Sequence, residues 1–204
     1  LFERLLVQGY RPDAAVFIDG LNEYFHEEDN PGFTSQIKVL FENSQSLSFH
    51  LKAAFDNLPM VVYLRQHYRM GPEPAQDIPY DEAAIKALAE KARQRYWENQ
   101  KMIMAAASAA GVKSFFIWQP IPLYKYKGSH PFALMGYGRH GRSRIGYPLM
   151  AEYVSSHPSP ANFLWLADMQ ENMDGMLYVD IVHYNGRMSR EIAGRITDFM
   201  RSQL

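Results

Sequence analysis

A continuous apolar run, Ala14-Ala15-Val16-Phe17-Ile18, follows the breaker Arg11-Pro12-Asp13 and ends at once in a polar cluster, Asp19-Gly20-Leu21-Asn22-Glu23. Five apolar residues without alternation predict a strand buried on both faces, the usual state inside a parallel sheet. Between Asp81 and Ala110, Ile85, Leu88, Ala92, Tyr96, Met102 and Ile103 recur at near-helical spacing, and Gly111 is placed to stop the helix. Val112-Lys113-Ser114-Phe115-Phe116-Ile117-Trp118 then predicts a second buried strand, which ends in Gln119-Pro120-Ile121-Pro122. Ligands of open α/β sheets bind outside the carboxyl ends of strands, so both polar turns mark places where chemistry is expected.

The rest of the chain alternates in the same way. Leu1, Phe2, Leu5 and Leu6 share one helical face, with Gly9 positioned to end it. His26-Glu27-Glu28-Asp29 and Asn30-Pro31-Gly32 form an acidic turn. Ser35 to Met70 is mostly helical in pattern, with Pro59 opening either a helix or a strand through Val61, Val62 and Leu64. Gly71-Pro72-Glu73-Pro74 reads as a loop. Leu123 to Met150 carries five glycines together with Lys125, Lys127, Arg139, Arg142 and Arg144, and no acidic residue. Such a segment between packed elements predicts a functional or mobile loop. Phe163–Leu166 is a short third strand, and Arg187–Leu204 closes as an amphipathic helix through Ile192, Ala193, Ile196, Phe199 and Met200. The order predicts one α/β domain with helices on both faces of a parallel sheet.

Composition narrows the function classes. A chain of 204 residues with net charge −1 has no global bias toward nucleic acid or an anionic membrane surface. The absence of cysteine excludes disulfides, thiolate catalysis and zinc-thiolate sites. The uncharged stretch near Met102–Val112 is too short and too rich in alanine to span a bilayer. The N-terminal residues lack the pattern of a signal peptide and read as a helix already under way, so a longer polypeptide is expected upstream. The compartment stays open, and an upstream segment would direct an extracytoplasmic or membrane-tethered placement.

Within this frame, Tyr178-Val179-Asp180-Ile181-Val182-His183-Tyr184-Asn185 stands out. Asp180 and His183 are three residues apart, so both side chains leave one side of a helical turn or tight loop. The carboxylate can then fix the imidazole tautomer and leave the other ring nitrogen as a general base. Asn22, directly after Gly20-Leu21, reads on its own as a turn residue or helix cap. Asp19 and Glu23 read as an acid/base pair or as polar contacts at a strand end. Glu23, His26 and the acidic residues after them meet no recognised metal-ligand spacing even with His130 and His140, and neither metal nor cofactor is expected. Gly141-Arg142-Ser143 contains the best internal candidate nucleophile, Ser143, although it neither follows a buried strand nor begins a clear helix in pattern, as a strained nucleophile turn requires. The basic, aromatic 123–150 segment suits either an anionic or sugar-containing substrate or a surface loop paired with the acidic 23–29 turn.

Gly20-Leu21-Asn22 resembles the Gly-x-Asn block, and Asp180-Ile181-Val182-His183 the Asp-x-x-His block, of the SGNH (GDSL-type) hydrolases. Tyr96 and Asn99 in the long helix and Gln119-Pro120 after the second strand look like a bacterial branch of that superfamily. The resemblance runs along nearly the whole chain and implies a flavodoxin-like three-layer α/β/α fold with a parallel sheet. It implies a serine-dependent ester hydrolase or acyl transferase acting on an ester of a carbohydrate or lipid. His183 would be the general base, Asp180 its orienting acid and Asn22 an oxyanion donor, with Gly20, Asp19, Gln119 and Asn185 nearby. The family's serine block and the glycine block after it precede Gly-x-Asn and are not found before Gly20. The nucleophile and the first two strands are therefore expected upstream of residue 1, with residues 1–204 the C-terminal portion of the domain. A domain that has lost its serine and acts as a binding module is the alternative.

Overall fold

The computed structural model describes residues 2–25 and 81–203. Helix α1 (Phe2–Val7), strand β1 (Ala14–Asp19) and a 3-10 turn (Leu21–Tyr24) form the first part. Helix α2 (Glu82–Ala109) and strand β2 (Lys113–Trp118) follow. Two further 3-10 turns (Pro131–Met135 and Gly138–Arg142) lead into helix α3 (Ser143–Ser156), strand β3 (Phe163–Trp165) and helix α4 (Gly186–Arg201). The expectations for the acidic 26–32 turn, the 35–70 helical pattern and the 71–74 loop fall outside the described residues.

Local signals account for the element ends. Asp81 caps α2 by accepting from the Ala83 N–H at 3.1 Å. At the other end, Gly111 adopts φ 71°, and the Val112 N–H turns back to the Ala107 carbonyl at 2.9 Å. A residue with a Cβ would be strained there, so the chain reverses into β2 at the glycine.

The three strands are all parallel, in the order β1-β2-β3. β2 occupies the centre, and its alternating side chains divide the core. Phe116 and Trp118 pack with Ala89, Ala92 and Tyr96 of α2 and with Tyr147 and Met150 of α3. Ile117 packs on the opposite face against Met188, Ile192 and Ile196 of α4. The period of two along a strand thus places helices on both sides of a mixed α/β fold. Each large apolar side chain buried in this way contributes roughly 1.5–3 kcal/mol.

Two expectations need correction. β1 is not buried on both faces: Val16 and Ile18 are 38% and 49% exposed. Among the described residues β1 is flanked by β2 alone, and α4 packs over β2, where Phe115 meets Phe199 edge-on at 5.9 Å. The 123–150 segment is not one long loop, because Ser143–Ser156 is helical in spite of Gly146 and Pro148. Gly146 lies flat against the Tyr24 ring, whose hydroxyl donates to its carbonyl at 3.0 Å. That close approach, which a side chain would block, holds α3 against the turn after β1. Among the described residues no helix is long and apolar enough to cross a membrane.

Candidate functional site

In a parallel sheet every strand ends on the same rim. Asp19 closes β1, Trp118 closes β2 and Trp165 closes β3 on that rim. The residues singled out from sequence are distributed along it and on the loop before α4.

That loop is a tight closure between Tyr178 and Tyr184, which pair as an antiparallel bridge, and the Val179 N–H donates to the His183 carbonyl at 2.9 Å. Inside it, Asp180 Oδ1 accepts from the Val182 N–H at 2.8 Å and the His183 N–H at 2.7 Å. Asp180 Oδ2 lies 2.6 Å from His183 Nδ1. Partial desolvation pushes the Asp180 carboxyl up, but the backbone donors of His183 and Val182 and the imidazole outweigh it and hold it down at about 2. The acid is therefore ionised at neutral pH and bound to Nδ1, which turns Nε2 outward on a side chain that is 76% exposed. One ring nitrogen of His183 is thus engaged by the carboxylate while the other faces solvent.

Buried polar contacts that sequence reading did not single out hold this loop. Gln170 Nε2 donates to the Ile121 carbonyl at 2.5 Å and the Tyr124 carbonyl at 2.7 Å, while its Oε1 accepts from the Tyr178 hydroxyl. The Tyr184 hydroxyl contacts Gln119 Oε1 at 3.0 Å and the Pro120 carbonyl at 2.6 Å. The chain after β2 and the His183 loop are thereby joined on both sides. The two tyrosines bracket the Asp-x-x-His block in sequence, which is the signal that could have pointed to them.

Asn22 is exposed in the 3-10 turn after β1, and its carbonyl accepts from the Phe25 N–H at 3.2 Å. Gly20 precedes that turn at φ 129°, with Tyr147 and Trp118 against its Cα. The Tyr147 hydroxyl continues to the Gln119 carbonyl at 2.8 Å. The Phe25 ring packs tilted against His140 with centroids 4.7 Å apart, and His140 is near enough to the dyad for its basicity to respond. Burial lowers the His140 pKa, the His183 charge lowers it further, and Asp180 opposes both. Contacts thus run from Gly20 through Tyr147 and Gln119 to Tyr184, the residue beside His183, and from Phe25 to His140, which senses the His183 charge.

The remaining candidates have other geometries. Asn185 caps α4: its Oδ1 accepts from the Met188 N–H at 2.9 Å and its Nδ2 donates to the Met176 carbonyl at 2.6 Å. Ser143 does begin a helix, but it is fully buried and donates to the His140 carbonyl at 2.5 Å, so its hydroxyl is not presented for attack. His130 Nε2 lies 3.4 Å from the Ile181 carbonyl, beneath the dyad loop. Lys125 and Lys127 pair with Asp168 at 2.9 Å and Glu171 at 3.2 Å, not with the 23–25 turn. Arg142 does reach that turn, donating to the Phe25 carbonyl at 3.3 Å.

Asp19 and Glu23 face a cavity of about 100 Å³ between β1 and α2. Burial pushes Asp19 up to about 6. Burial and then the Asp19 charge push Glu23 up to about 7, against the pull of the Arg95 guanidinium. Among the described residues no group of three or more His, Asp or Glu side chains is arranged to hold a metal ion. No protein-family model, curated protein or solved structure matches this chain.

Proposed function

We propose that the chain is part of a serine-dependent ester hydrolase or acyl transferase of the SGNH type, with a flavodoxin-like α/β/α architecture. The observation that carries this reading is the 2.6 Å contact between His183 Nδ1 and Asp180 Oδ2, in a loop tied to the strand-end rim through Gln119. His183 Nε2 takes the proton of a serine hydroxyl, and Asp180 holds the tautomer and balances the imidazolium that forms. Asn22 donates its carboxamide to the developing oxyanion, a contribution of about 3–4 kcal/mol to lowering the barrier. The substrate is an ester, on a carbohydrate or lipid, approaching over the basic and aromatic turns of residues 123–142.

Among the described residues no serine hydroxyl bonds to the His183 ring, and the resemblance assigns the nucleophile to the polypeptide upstream of Leu1. The second reading, a binding module without turnover, draws on that same observation. An aryl-ester assay of the full-length polypeptide separates the two. Turnover that is lost in His183→Ala and in the upstream serine variant supports the hydrolase. Turnover that His183→Ala leaves unchanged rejects it.

A further inference from the structure

The cavity between β1 and α2 is lined by two carboxyl groups, Asp19 and Glu23, facing Tyr96, Asn99 and Gln100 of α2. Phe17, Phe116 and Ile103 complete its wall. Tyr96 and Gln100 are 4% and 2% exposed, yet the Tyr96 hydroxyl and the Gln100 amide nitrogen have no hydrogen-bond partner. Buried polar groups in native proteins are nearly always satisfied, so two orphans lining one acid-walled cavity point to an occupant. We propose that this cavity binds a small primary alkylammonium group.

The wall chemistry selects that class. Two carboxylates supply the countercharge, and the Tyr96 oxygen is a third acceptor for the three N–H donors of a primary ammonium. The Gln100 amide can bond a hydroxyl carried on the adjacent carbon or a water beside it. Phe17 and Phe116 stack at 5.2 Å and, with the Tyr96 ring, offer π faces suited to an organic cation. For a divalent ion the wall is less suited, since only two carboxyl groups line it and no group of three or more His, Asp or Glu side chains is arranged to hold a metal among the described residues. The volume of about 100 Å³ is enough for a headgroup of a few heavy atoms.

The electrostatics agree in sign. Burial raises both pKa values, so both acids are largely protonated at pH 5 and ionise only as pH climbs past 6 and 7, and Arg95 compensates Glu23 in part, its guanidinium reaching the Glu23 carbonyl at 3.5 Å. The other titratable groups that sense this pair, Tyr24, Tyr96 and Tyr147, are neutral because burial raises their pKa values far above the physiological range. A bound ammonium would let both acids ionise, so binding strengthens as pH rises from 5 through 6 and 7 to 8. An alkylammonium, with a pKa near that of lysine at about 10.4, is still charged there.

Calorimetric titration and thermal melting of the whole protein with methylammonium or ethanolammonium chloride test this, at pH 8 and constant ionic strength. Sodium chloride, calcium chloride and ethylene glycol are the comparison ligands. The expected result is a rise in melting temperature of about 3–6 °C at ten times Kd with the ammonium ions. Asp19→Asn and Glu23→Gln should weaken binding at least tenfold, whereas Glu171→Gln, on the Lys125 surface, should leave it intact. An equal shift with glycol, a larger one with calcium, no shift, or binding retained in Glu23→Gln overturns the proposal. If Asp19→Asn does not fold, Glu23→Gln and Gln100→Leu carry the test. Binding is read without turnover, so the outcome is independent of the ester-hydrolase reading.

Discussion

The Tyr184 hydroxyl lies 3.0 Å from Gln119 Oε1, so the residue beside the imidazole is anchored to the first residue after the central strand. The anchor is half-buried and makes a second contact with the Pro120 carbonyl. Tyr184→Phe removes one hydroxyl and should cost about 1 kcal/mol of unfolding free energy. Gln119→Leu should cost a similar amount. Because the two groups share a contact, the double variant should cost less than the sum, which a denaturant-melt cycle measures.

For the proposed chemistry, His183→Ala and Asp180→Asn should each lower ester turnover by roughly 10³–10⁴-fold in the full-length polypeptide. The Asp180 carboxyl also links to stability. Its folded pKa of about 2 lies below its ordinary value of 3.8, so its contribution is complete above pH 4. That contribution is lost as pH falls from about 4 through 2, when protonation breaks the three contacts it accepts. Acid melts of the native protein and Asp180→Asn should therefore converge near pH 2 and separate above pH 4.

Asp19 and Glu23 behave in the opposite sense. Their folded pKa values, about 6 and about 7, exceed the ordinary 3.8 and 4.5, so the folded state holds their protons more tightly than the unfolded chain does. Stability is unaffected below about pH 4 and declines as pH rises through 7, by at most about 3 kcal/mol per group. Glu23→Gln should raise the melting temperature at pH 8 and leave it nearly unchanged at pH 4. A destabilised Glu23→Gln at pH 8 in ligand-free protein would contradict this assignment.

The elements that could be read from sequence were those with punctuation. Asp81 and Gly111 bound α2, and Gly111 also opens β2, so both were visible from cap and stop chemistry. Helix α3 was hidden because Gly146 and Pro148 interrupt its pattern, and its formation depends on Tyr24 seating against Gly146. The Asp180–His183 contact follows from spacing alone. The support beneath it does not, since Gln170 is forty-nine residues from the Ile121 carbonyl it binds. Asn185 shows the reverse problem: an Asn beside a site motif suggested a site role, while the Met188 N–H claims it as a helix cap.

That cap yields a further expectation. Asn185→Ala removes the acceptor for Met188 and the donor to Met176, and should cost about 1 kcal/mol. Hydrogen exchange should quicken first at the Met188 amide. Gln170→Leu is the more severe change, because the Ile121 and Tyr124 carbonyls and the Tyr178 hydroxyl would each lose a partner. A loss of several kcal/mol is expected there, on the order of 1–3 kcal/mol for each stranded group.

β1 meets β2 through one side of its backbone, and its direction sets the geometry of whatever lies along the other. A chain added in the same direction would deliver its last residues beside Gly20 and Asn22, and one added head-to-tail would deliver its first. Strand direction alone, before any side chain is chosen, determines which terminus of a newcomer reaches the turn after β1.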